Sequence, residues 1–272
     1  GAEVAKLVEK GKGQFAGPEI LGKKLGVIGL GAIGVLVANA AKSLGMEVYG
    51  YDPYLSVNAA WALSRSIHHA ATLEQIYAEC DYITLHLPLN DGTRGMIGTD
   101  ALAQMKDGVR VLNFARGELV DSDAMKAALA NGKVAAYVVD FPSDEMLCVD
   151  NVTAIPHLGA STPESEDNCA VMAVQELKAY LEQGVIRNSV NFPAMELEKS
   201  SAVRVCVLHR NVPTLLAQIS TVISEAGVNI ETLTNRSRKD IAYTVADISD
   251  DITQAVMDKV AAIDGVIRVR KV

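Results

Sequence analysis

Three side chains able to bind or transfer charge follow three successive strand-like runs of the sequence: Arg116, Glu145 and His157. A guanidinium offers a planar fork of donors that suits a carboxylate. A histidine beside a carboxylate favours its protonated form, so it can serve as an acid in one direction of a reaction and as a base in the other. Because ligands of parallel sheets gather at the carboxyl ends of the strands, we expect these side chains to share one site.

A glycine motif, Gly29-Leu30-Gly31-Ala32-Ile33-Gly34, directly follows an apolar run and opens a helical pattern. In that context G-x-G-x-x-G predicts a dinucleotide site. Gly29 permits a tight turn, Gly31 lets the backbone approach the pyrophosphate, and Gly34 lets the helix lie close to the strand. Asp52 ends the next strand about twenty residues later, where an acid can bind the ribose 2′-OH. No arginine directly follows Asp52, so the sequence predicts NAD rather than NADP.

The elements that position these residues alternate between apolar strand-like runs and amphipathic helical runs. The predicted strands are residues 25–30, 47–51, 82–87, 109–113, 134–140 and 152–155, with helices that include 33–44 and 123–130. The strands are nearly all apolar, as strands buried on both faces must be. The pattern predicts an α/β fold, a Rossmann-type doubly wound parallel sheet. Ser161, Thr162 and Pro163 predict the start of a further helix, which Gly184 ends after about Gln183.

The order of elements changes near the C-terminus. Strands at residues 202–209, 228–237, 241–248 and 266–272 and helices at 213–226 and 252–263 give the order β-α-β-β-α-β. This order predicts a small ferredoxin-like α+β domain. We therefore expect a first domain at residues 1–193, a linker at 194–201 and a second domain at 202–272.

Composition excludes several classes of protein. The 272 residues carry a formal net charge of −8, which leaves no excess of lysine or arginine to bind a nucleic-acid backbone. The longest apolar stretches are interrupted and fall short of a membrane span. The four cysteines lie far apart and predict neither a zinc site nor a disulfide framework, which fits a cytoplasmic location.

Five ordered motifs resemble those of the D-isomer-specific 2-hydroxyacid dehydrogenases: residues 29–34, Leu85-His86-Leu87-Pro88, the N-x-x-R-G-x-x-V-D segment at 113–121, the D-x-x-x-x-E segment at 140–145, and Pro156-His157 through Thr162. The resemblance implies that Arg116 binds the substrate carboxylate and keto oxygen and that His157 exchanges the hydroxyl proton. Glu145 would hold and polarise His157. Many relatives have a longer loop between the acid and the histidine, so Asp144 is an alternative to Glu145.

The same resemblance implies NAD as the cofactor and no metal ion. The residues expected to contact NAD are Gly29, Gly31, Ala32, Ile33, Gly34, Asp52, Pro88, Thr93, Asn113, Ala115, Arg116, Asp140, His157, Gly159 and Ala160. Asp140 would face the nicotinamide end. His86 lies outside the catalytic motif, and we expect it to be structural.

The C-terminal domain resembles an ACT domain, an amino-acid-sensing module of several biosynthetic enzymes. The H-x-N-x-P and G-x-N-I segments at residues 209–213 and 227–230 carry this resemblance. It implies serine as an effector, bound by His209, Asn211 and Asn229 between two copies of the domain, and hence a homodimer or homotetramer. Alternatively, Asn211 only caps a helix and Asn229 only supplies a turn. Thr214 stands where the module usually has a small residue.

Within the dehydrogenase family, this module is typical of phosphoglycerate dehydrogenases. The resemblance therefore implies NAD-dependent oxidation of 3-phosphoglycerate at the start of serine biosynthesis. Two alternatives remain: oxidation of another D-2-hydroxy acid, and a non-catalytic NAD(H)-sensing protein. Only about two dozen residues precede the first Rossmann strand, whereas the family builds most of its substrate domain there. We expect the chain to be part of a longer protein, and its own turnover to be in doubt.

Overall fold

The first of two structural units, residues 1–159, is built on a seven-stranded parallel sheet. In this computed structural model the described residues are 3–201 and 203–272; Gly1, Ala2 and Ala202, the predicted first residue of a strand, lie outside them. The strands are β1 (Lys24–Ile28), β2 (Glu47–Tyr51), β3 (His68–His69), β4 (Tyr82–Leu85), β5 (Val109–Asn113), β6 (Val134–Val139) and β7 (Val152–Ala154). Their order, β3-β2-β1-β4-β5-β6-β7, confirms the doubly wound sheet.

In the described part of this unit, six helices connect these strands or precede them. They are α1 (Val4–Gly11), α2 (Ala32–Ser43), α3 (Val57–Ala62), α4 (Leu73–Glu79), α5 (Thr99–Gln104) and α6 (Ser122–Ala130). Several begin at a side chain that accepts a backbone N–H: Thr72 caps α4, and Asp121 caps α6 with Oδ1 2.8 Å from Ala124 N. Such caps satisfy amides that the helix itself leaves unpaired. The apolar strands are buried, as predicted, with Val27, Ile83 and Val111 fully inaccessible.

The second unit, residues 160–272, contains a long helix and a four-stranded antiparallel sheet. Its elements are α7 (Pro163–Gln183), β8 (Val203–Arg210), α8 (Leu215–Glu225), β9 (Ile230–Arg238), β10 (Ile241–Ile248), α9 (Gln254–Ala261) and β11 (Val266–Lys271). The strand order β11-β8-β10-β9 is that of the predicted ferredoxin-like domain. One face of this sheet packs against helices α8 and α9, and the core between them includes Val205, Ile219 and Val260.

Helix α7 begins and ends where the sequence predicts. Thr162 Oγ1 accepts a hydrogen bond from Ser165 N at 3.2 Å, Pro163 occupies the first turn, and Gly184 ends the helix with a φ of 70°. The division into units precedes this helix, whereas we expected a domain boundary after residue 193. The reason is that the end of α7 is hydrogen-bonded to the C-terminal sheet. Arg270 donates to Tyr180 O at 3.2 Å, and Tyr243 Oη donates to Gly184 O at 2.9 Å.

A buried ion pair joins the expected linker to the C-terminal sheet. Arg204 and Asp247 are each about 1% exposed, with Arg204 Nε 2.6 Å from Asp247 Oδ1. The guanidinium also donates to Gln183 O at 2.9 Å and Glu198 O at 2.8 Å. Burial raises the pKa of Asp247, but hydrogen bonds from Arg204 and Ser200 outweigh burial and hold that pKa well below its usual range. The pair thus connects three chain segments within this unit.

No helix among the described residues is long and apolar enough to cross a membrane. The four cysteines all lie in the described ranges and are unpaired there.

Candidate active site

The segments that hold the predicted site residues follow five strands that are neighbours in the sheet. The glycine turn follows β1, residues 86–89 follow β4, residues 114–116 follow β5, Asp140 follows β6, and His157 lies shortly after β7. Since the five strands are parallel, all these segments leave the same edge of the sheet. Between β1 and β4 the strand order reverses direction, which is where open parallel sheets bind ligands.

The glycine turn between β1 and α2 has the form the sequence predicts. Gly29 adopts a φ of +93°, which L side chains rarely adopt, and its N–H donates to Tyr51 O at 2.9 Å. Gly34 has no room for a side chain, because a Cβ there would overlap the carbonyl oxygen of Gly29. Above Gly31, by contrast, the space is open. The turn therefore packs tightly on its inner side and leaves an open approach to the N-terminus of α2, where anions bind well.

Asp52 is held beside this turn by two backbone amides. Its Oδ2 accepts from Leu30 N and its Oδ1 from Tyr54 N, each at 2.8 Å. Each carboxylate oxygen can accept a second hydrogen bond, so the group remains available to a ribose hydroxyl. The structure thus places Asp52 against the glycine turn, as its predicted role requires.

Asn113, at the end of β5, shapes the turn that presents Arg116. It is almost fully buried, its Nδ2 donates to Arg116 O at 2.8 Å, and its Oδ1 accepts from Ala115 N at 3.2 Å. Asn113 Nδ2 also donates to the hydroxyl of Tyr137, at 3.3 Å. Burial raises the pKa of Tyr137 to about 12, so this hydroxyl stays neutral. The Arg116 side chain is exposed, and among the described residues its one hydrogen bond goes to Ala115 O, at 2.7 Å. Its guanidinium therefore has donors left for an anion.

His157 makes its hydrogen bond with Asp140. His157 Nδ1 lies 2.8 Å from Asp140 Oδ2, with the histidine 43% exposed and the aspartate only 9% exposed. The other oxygen, Asp140 Oδ1, is buried and has no hydrogen-bond partner among the described residues. Such an atom is costly unless a donor reaches it.

Phe141 is a site residue that the sequence analysis missed. Its ring centroid lies 4.3 Å from that of His157 and 5.4 Å from Arg116 Cζ. The ring therefore contacts both predicted catalytic groups and brings them into one site. Its position next to Asp140, directly after β6, was the only signal available in the sequence.

The structure does not bring Glu145 to His157, and this part of the sequence interpretation needs correction. Glu145 is 64% exposed and lies 3.7 Å from Lys126 Nζ. It belongs to a short 3-10 turn, Asp144–Met146, in which Met146 is buried and both acids are exposed. The alternative acid, Asp144, also makes no hydrogen bond to the histidine. Anchoring of the turn by Met146 explains the difference.

An open cleft of about 580 Å³ connects these groups. It is lined by Gly31, Ala32, Ile33, Gly34, His86, Leu87, Pro88, Leu89, Phe114, Ala115, Arg116 and His157. His86 makes a structural contact in this wall: its Nε2 lies 3.0 Å from Thr84 Oγ1, and burial lowers its pKa. The cleft thus runs from the glycine turn to the predicted catalytic pair.

Seven of the fifteen residues expected to contact NAD do not line this cleft: Gly29, Asp52, Thr93, Asn113, Asp140, Gly159 and Ala160. Thr93 Oγ1 donates to Pro88 O at 2.7 Å and accepts from Asn90 N at 2.9 Å, so Thr93 shapes the loop after β4. Gly159 and Ala160 are exposed at the point where the two units divide. Their contacts with NAD stay predictions.

The residues present fit an NAD molecule on two structural grounds. The space above Gly31 is open beside a helix N-terminus, which suits a pyrophosphate. At the other end of the site, the buried Asp140 Oδ1 lacks a donor, and the amide of a nicotinamide carries one. Asp52 lies by the glycine turn without a basic side chain bonded to it in the described part of the chain.

The three predicted effector residues differ in exposure. His209 is 2% exposed, with Nδ1 2.8 Å from Arg210 O and Nε2 2.8 Å from Thr244 Oγ1. Asn211 and Asn229 are exposed, and Asn211 Nδ2 donates to Lys239 O at 3.0 Å. In this structure His209 is therefore occupied within the sheet, whereas the two asparagines are accessible.

Comparison with known proteins agrees with this geometry. The sequence model of the D-isomer specific 2-hydroxyacid dehydrogenase NAD binding domain matches residues 2–159. A D-3-phosphoglycerate dehydrogenase from Haemophilus influenzae is 33% identical over 93% of this chain and 63% of its own length. One from Methanocaldococcus jannaschii is 35% identical over 79% of this chain and 41% of its own.

A solved structure, a glyoxylate reductase from Paecilomyes thermophila, superposes with a TM-score of 0.59 at 29% identity. The similarity covers 68% of this chain and 58% of that one. The chain spans less than two thirds of the length of the phosphoglycerate dehydrogenases it matches. The family model matches more than half of the chain, and the matched residues include the glycine turn, Arg116 and His157. The chain therefore belongs to the D-isomer-specific 2-hydroxyacid dehydrogenase family.

Proposed function

We propose that the protein carrying this chain oxidises D-3-phosphoglycerate to 3-phosphohydroxypyruvate with NAD, the opening step of serine biosynthesis. The observation that carries the proposal is the placement of Arg116 and His157 in one cleft with the glycine turn. The choice of substrate is supported by the names of the relatives, which are D-3-phosphoglycerate dehydrogenases, and by the attached ferredoxin-like domain.

Arg116 and His157 divide the work on the substrate. The guanidinium of Arg116, free on its outer side, binds the carboxylate and the oxygen on C2 as a planar donor fork. His157 has Nδ1 engaged by Asp140, which leaves Nε2 to accept the hydroxyl proton as the C2 hydrogen departs as hydride. In the reverse direction the same nitrogen donates that proton. NAD, when bound, supplies the hydride acceptor.

Chain residues along the length of the site hold the cofactor, from the glycine turn at one end to Asp140, beside His157, at the other. Gly31 and the first turn of α2 receive the pyrophosphate, Asp52 the ribose hydroxyls, and Asp140 Oδ1 the carboxamide. A 2′-phosphate beside Asp52 would meet a carboxylate, so NAD is preferred over NADP.

The substrate assignment is tested by comparing kcat/KM for a series of D-2-hydroxy acids in the protein that carries this chain. We expect the highest value for D-3-phosphoglycerate. A higher value for an unphosphorylated acid would replace the substrate and keep the reaction class. If none of these acids reduces NAD but the protein binds NAD tightly, the result would favour a non-catalytic NAD(H)-sensing protein.

We further propose that the C-terminal domain is an ACT domain that binds serine between two copies. Asn211 N donates to Asp240 O and Ser249 N to Asn229 O, so the two asparagines lie at opposite ends of the β9–β10 hairpin. Strand β9 has nine residues and spans roughly 30 Å, so one copy cannot bring both side chains to one ligand. A pair of copies related by a two-fold axis can do so, which supports a homodimer or homotetramer.

Serine bound across that interface would favour one arrangement of the subunits and so change activity by differential binding to two states. Calorimetry with serine tests this directly. We expect a heat of binding that disappears in Asn211→Ala, and dimers in sedimentation. If no heat of binding is measured at millimolar serine, the domain does not bind serine and serves only in oligomerisation.

A cytoplasmic location stays a prediction from the unpaired cysteines.

A further inference from the structure

Both ring nitrogens of His209 are hydrogen-bonded within the second unit. Nδ1 lies 2.8 Å from Arg210 O and Nε2 lies 2.8 Å from Thr244 Oγ1, and the residue is only 2% exposed. Asn211, two residues later, is exposed. For His209 to contact a ligand beside Asn211, at least one of its two hydrogen bonds must therefore break.

The bond to Thr244 is the one that ties the histidine ring to a neighbouring strand. Strand β10 pairs with β8 so that Ala242 lies opposite His209, and Thr244, two residues further on, shares the same face of the sheet. Thr244 is fully buried there. Arg210, by contrast, is the next residue of the chain after His209, so its carbonyl oxygen stays beside the ring. A ring that turns towards the Asn211 loop therefore gives up Thr244.

Thr244 has a second hydrogen-bond partner that remains when the histidine leaves. Its hydroxyl donates to Asn235 Oδ1 at 3.0 Å, across a register pair of β10 with β9. Asn235 is exposed on β9, the outer strand of the sheet. A buried hydroxyl left without any partner would be costly, but the bond to Asn235 prevents this. Release of His209 therefore loses its own bond to Thr244 and leaves the threonine satisfied.

A serine ligand can replace the lost bond with a stronger one. Its carboxylate is an ionised acceptor, and hydrogen bonds to ionised groups are roughly twice as strong as those between neutral groups. Exchange of Thr244 for the carboxylate is therefore favourable. The bond to Thr244 still opposes binding, because the apparent affinity of a site falls with the fraction of molecules in the binding-competent form.

We propose that Thr244 competes with serine for His209 and so sets the serine concentration at which the C-terminal domain responds. The inference rests on the proposed binding of serine between two copies of this domain. It adds a residue that controls the affinity for the effector without contacting it. Asn235 supports this role, because it keeps the Thr244 hydroxyl paired in both states.

Calorimetry with serine on the full chain measures the competition. Thr244→Val keeps the shape of the side chain and removes the hydroxyl, so serine should bind about two- to tenfold more tightly, the range for one lost neutral hydrogen bond. Thr244→Ser keeps the hydroxyl and should retain the unmodified affinity. Thr221→Val, the same change at an exposed position of α8, is the matched control and should change nothing. A substitution that only damaged the site would weaken serine binding, so the direction of the change separates the two roles.

The nitrogen resonances of His209 test the same contact by a second route. The chain holds five histidines, so a long-range proton–nitrogen spectrum of histidine-labelled protein is simple, and His209→Gln assigns the signal. Serine should displace the Nε2 resonance of His209 in the unmodified chain, because the contact with Thr244 breaks. Serine binding that leaves this resonance in place, or that is unchanged or weaker in folded Thr244→Val, would overturn the competition and keep serine as the effector. If serine binds neither protein, the effector proposal itself is refuted, and the competition with it.

Discussion

Gly34 lies directly against Gly29, and a Cβ built on Gly34 would overlap the Gly29 carbonyl oxygen. The first turn of α2 and the end of β1 are therefore in backbone contact. Gly31, three residues earlier, has an extended backbone, and no atom of the described residues lies within 4 Å of a Cβ built on it. The two glycines of one motif thus serve different purposes, one in the fold and one in access to the ligand.

This difference predicts opposite effects of one added methyl group. Gly34→Ala should destabilise the first unit by about 1–3 kcal/mol, as overpacking does, measured by denaturant unfolding. Gly31→Ala should leave stability unchanged and weaken NAD binding, because its methyl group stands where the pyrophosphate approaches. Normal NAD affinity in Gly31→Ala would mean that the cofactor binds elsewhere.

Asp52 is predicted to set the preference between the two dinucleotides. Titration of the chain should show clearly tighter binding of NAD than of NADP, since the carboxylate accepts from a ribose hydroxyl and repels a phosphate. Asp52→Ala should weaken NAD binding by about tenfold, the size expected for loss of one charged hydrogen bond, and narrow the preference. Equal affinity for both cofactors in the unmodified chain would contradict the role of Asp52.

The buried pair of Arg204 and Asp247 predicts a large loss of stability when one charge is removed. Asp247→Asn should cost about 3–5 kcal/mol in the unfolding of the second unit, because it leaves a buried guanidinium uncompensated. Asp240→Asn is the matched control: Asp240 lies 3.8 Å from Arg210 in an exposed pair, and its loss should cost under about 1 kcal/mol. Similar losses in both variants would contradict the buried network.

The same pair predicts a pH dependence with a defined sign. The pKa of Asp247 is lowered in the folded state, so its contribution to stability is complete above the unfolded value, about 3.9, and is lost as the pH falls below it. Acid unfolding of the second unit should therefore depend less on pH in Asp247→Asn below about pH 4. An identical pH dependence of stability in the two proteins would show that the pKa of Asp247 is not lowered in the folded state.

Thr214 offers a prediction of increased stability. It precedes α8 with a φ of +68°, a conformation that is unfavourable for a β-branched residue. Thr214→Gly should stabilise the second unit by about 1 kcal/mol, because the left-handed conformation costs roughly that much with a Cβ. Thr214→Ala keeps the Cβ and should gain little. Destabilisation by the glycine would mean that the Thr214 side chain contributes more than its backbone costs.

Local signals in the sequence sufficed for most of the fold. Strands β2, β5 and β10 have the predicted bounds, and α7 runs from Pro163 to Gln183 because its cap, its proline and Gly184 are all adjacent in sequence. The domain division differs, because the contacts that join α7 to Arg270 and Tyr243 come from residues far along the chain.

The candidate site was predictable in its strand ends but not in its contacts. Asp140 was assigned to the cofactor alone, because the pairing of β6 with β7 that brings it to His157 is not visible in the spacing. Phe141 carried no chemical signal, and its position in the site depends on contacts of its ring with Arg116 and His157, which lie on two other loops. The partnership of Arg204 and Asp247 spans 43 residues and has no local signature.

The most direct measurement is the rate of NADH formation from D-3-phosphoglycerate by the protein that carries this chain, compared with two histidine variants. The unmodified protein should reduce NAD, and His157→Gln should lower kcat by about 10² to 10⁴ with little change in NAD affinity. His69→Gln, an exposed histidine on β3, should retain full activity. Undiminished turnover in His157→Gln, or no reduction of NAD with any D-2-hydroxy acid, would contradict the account.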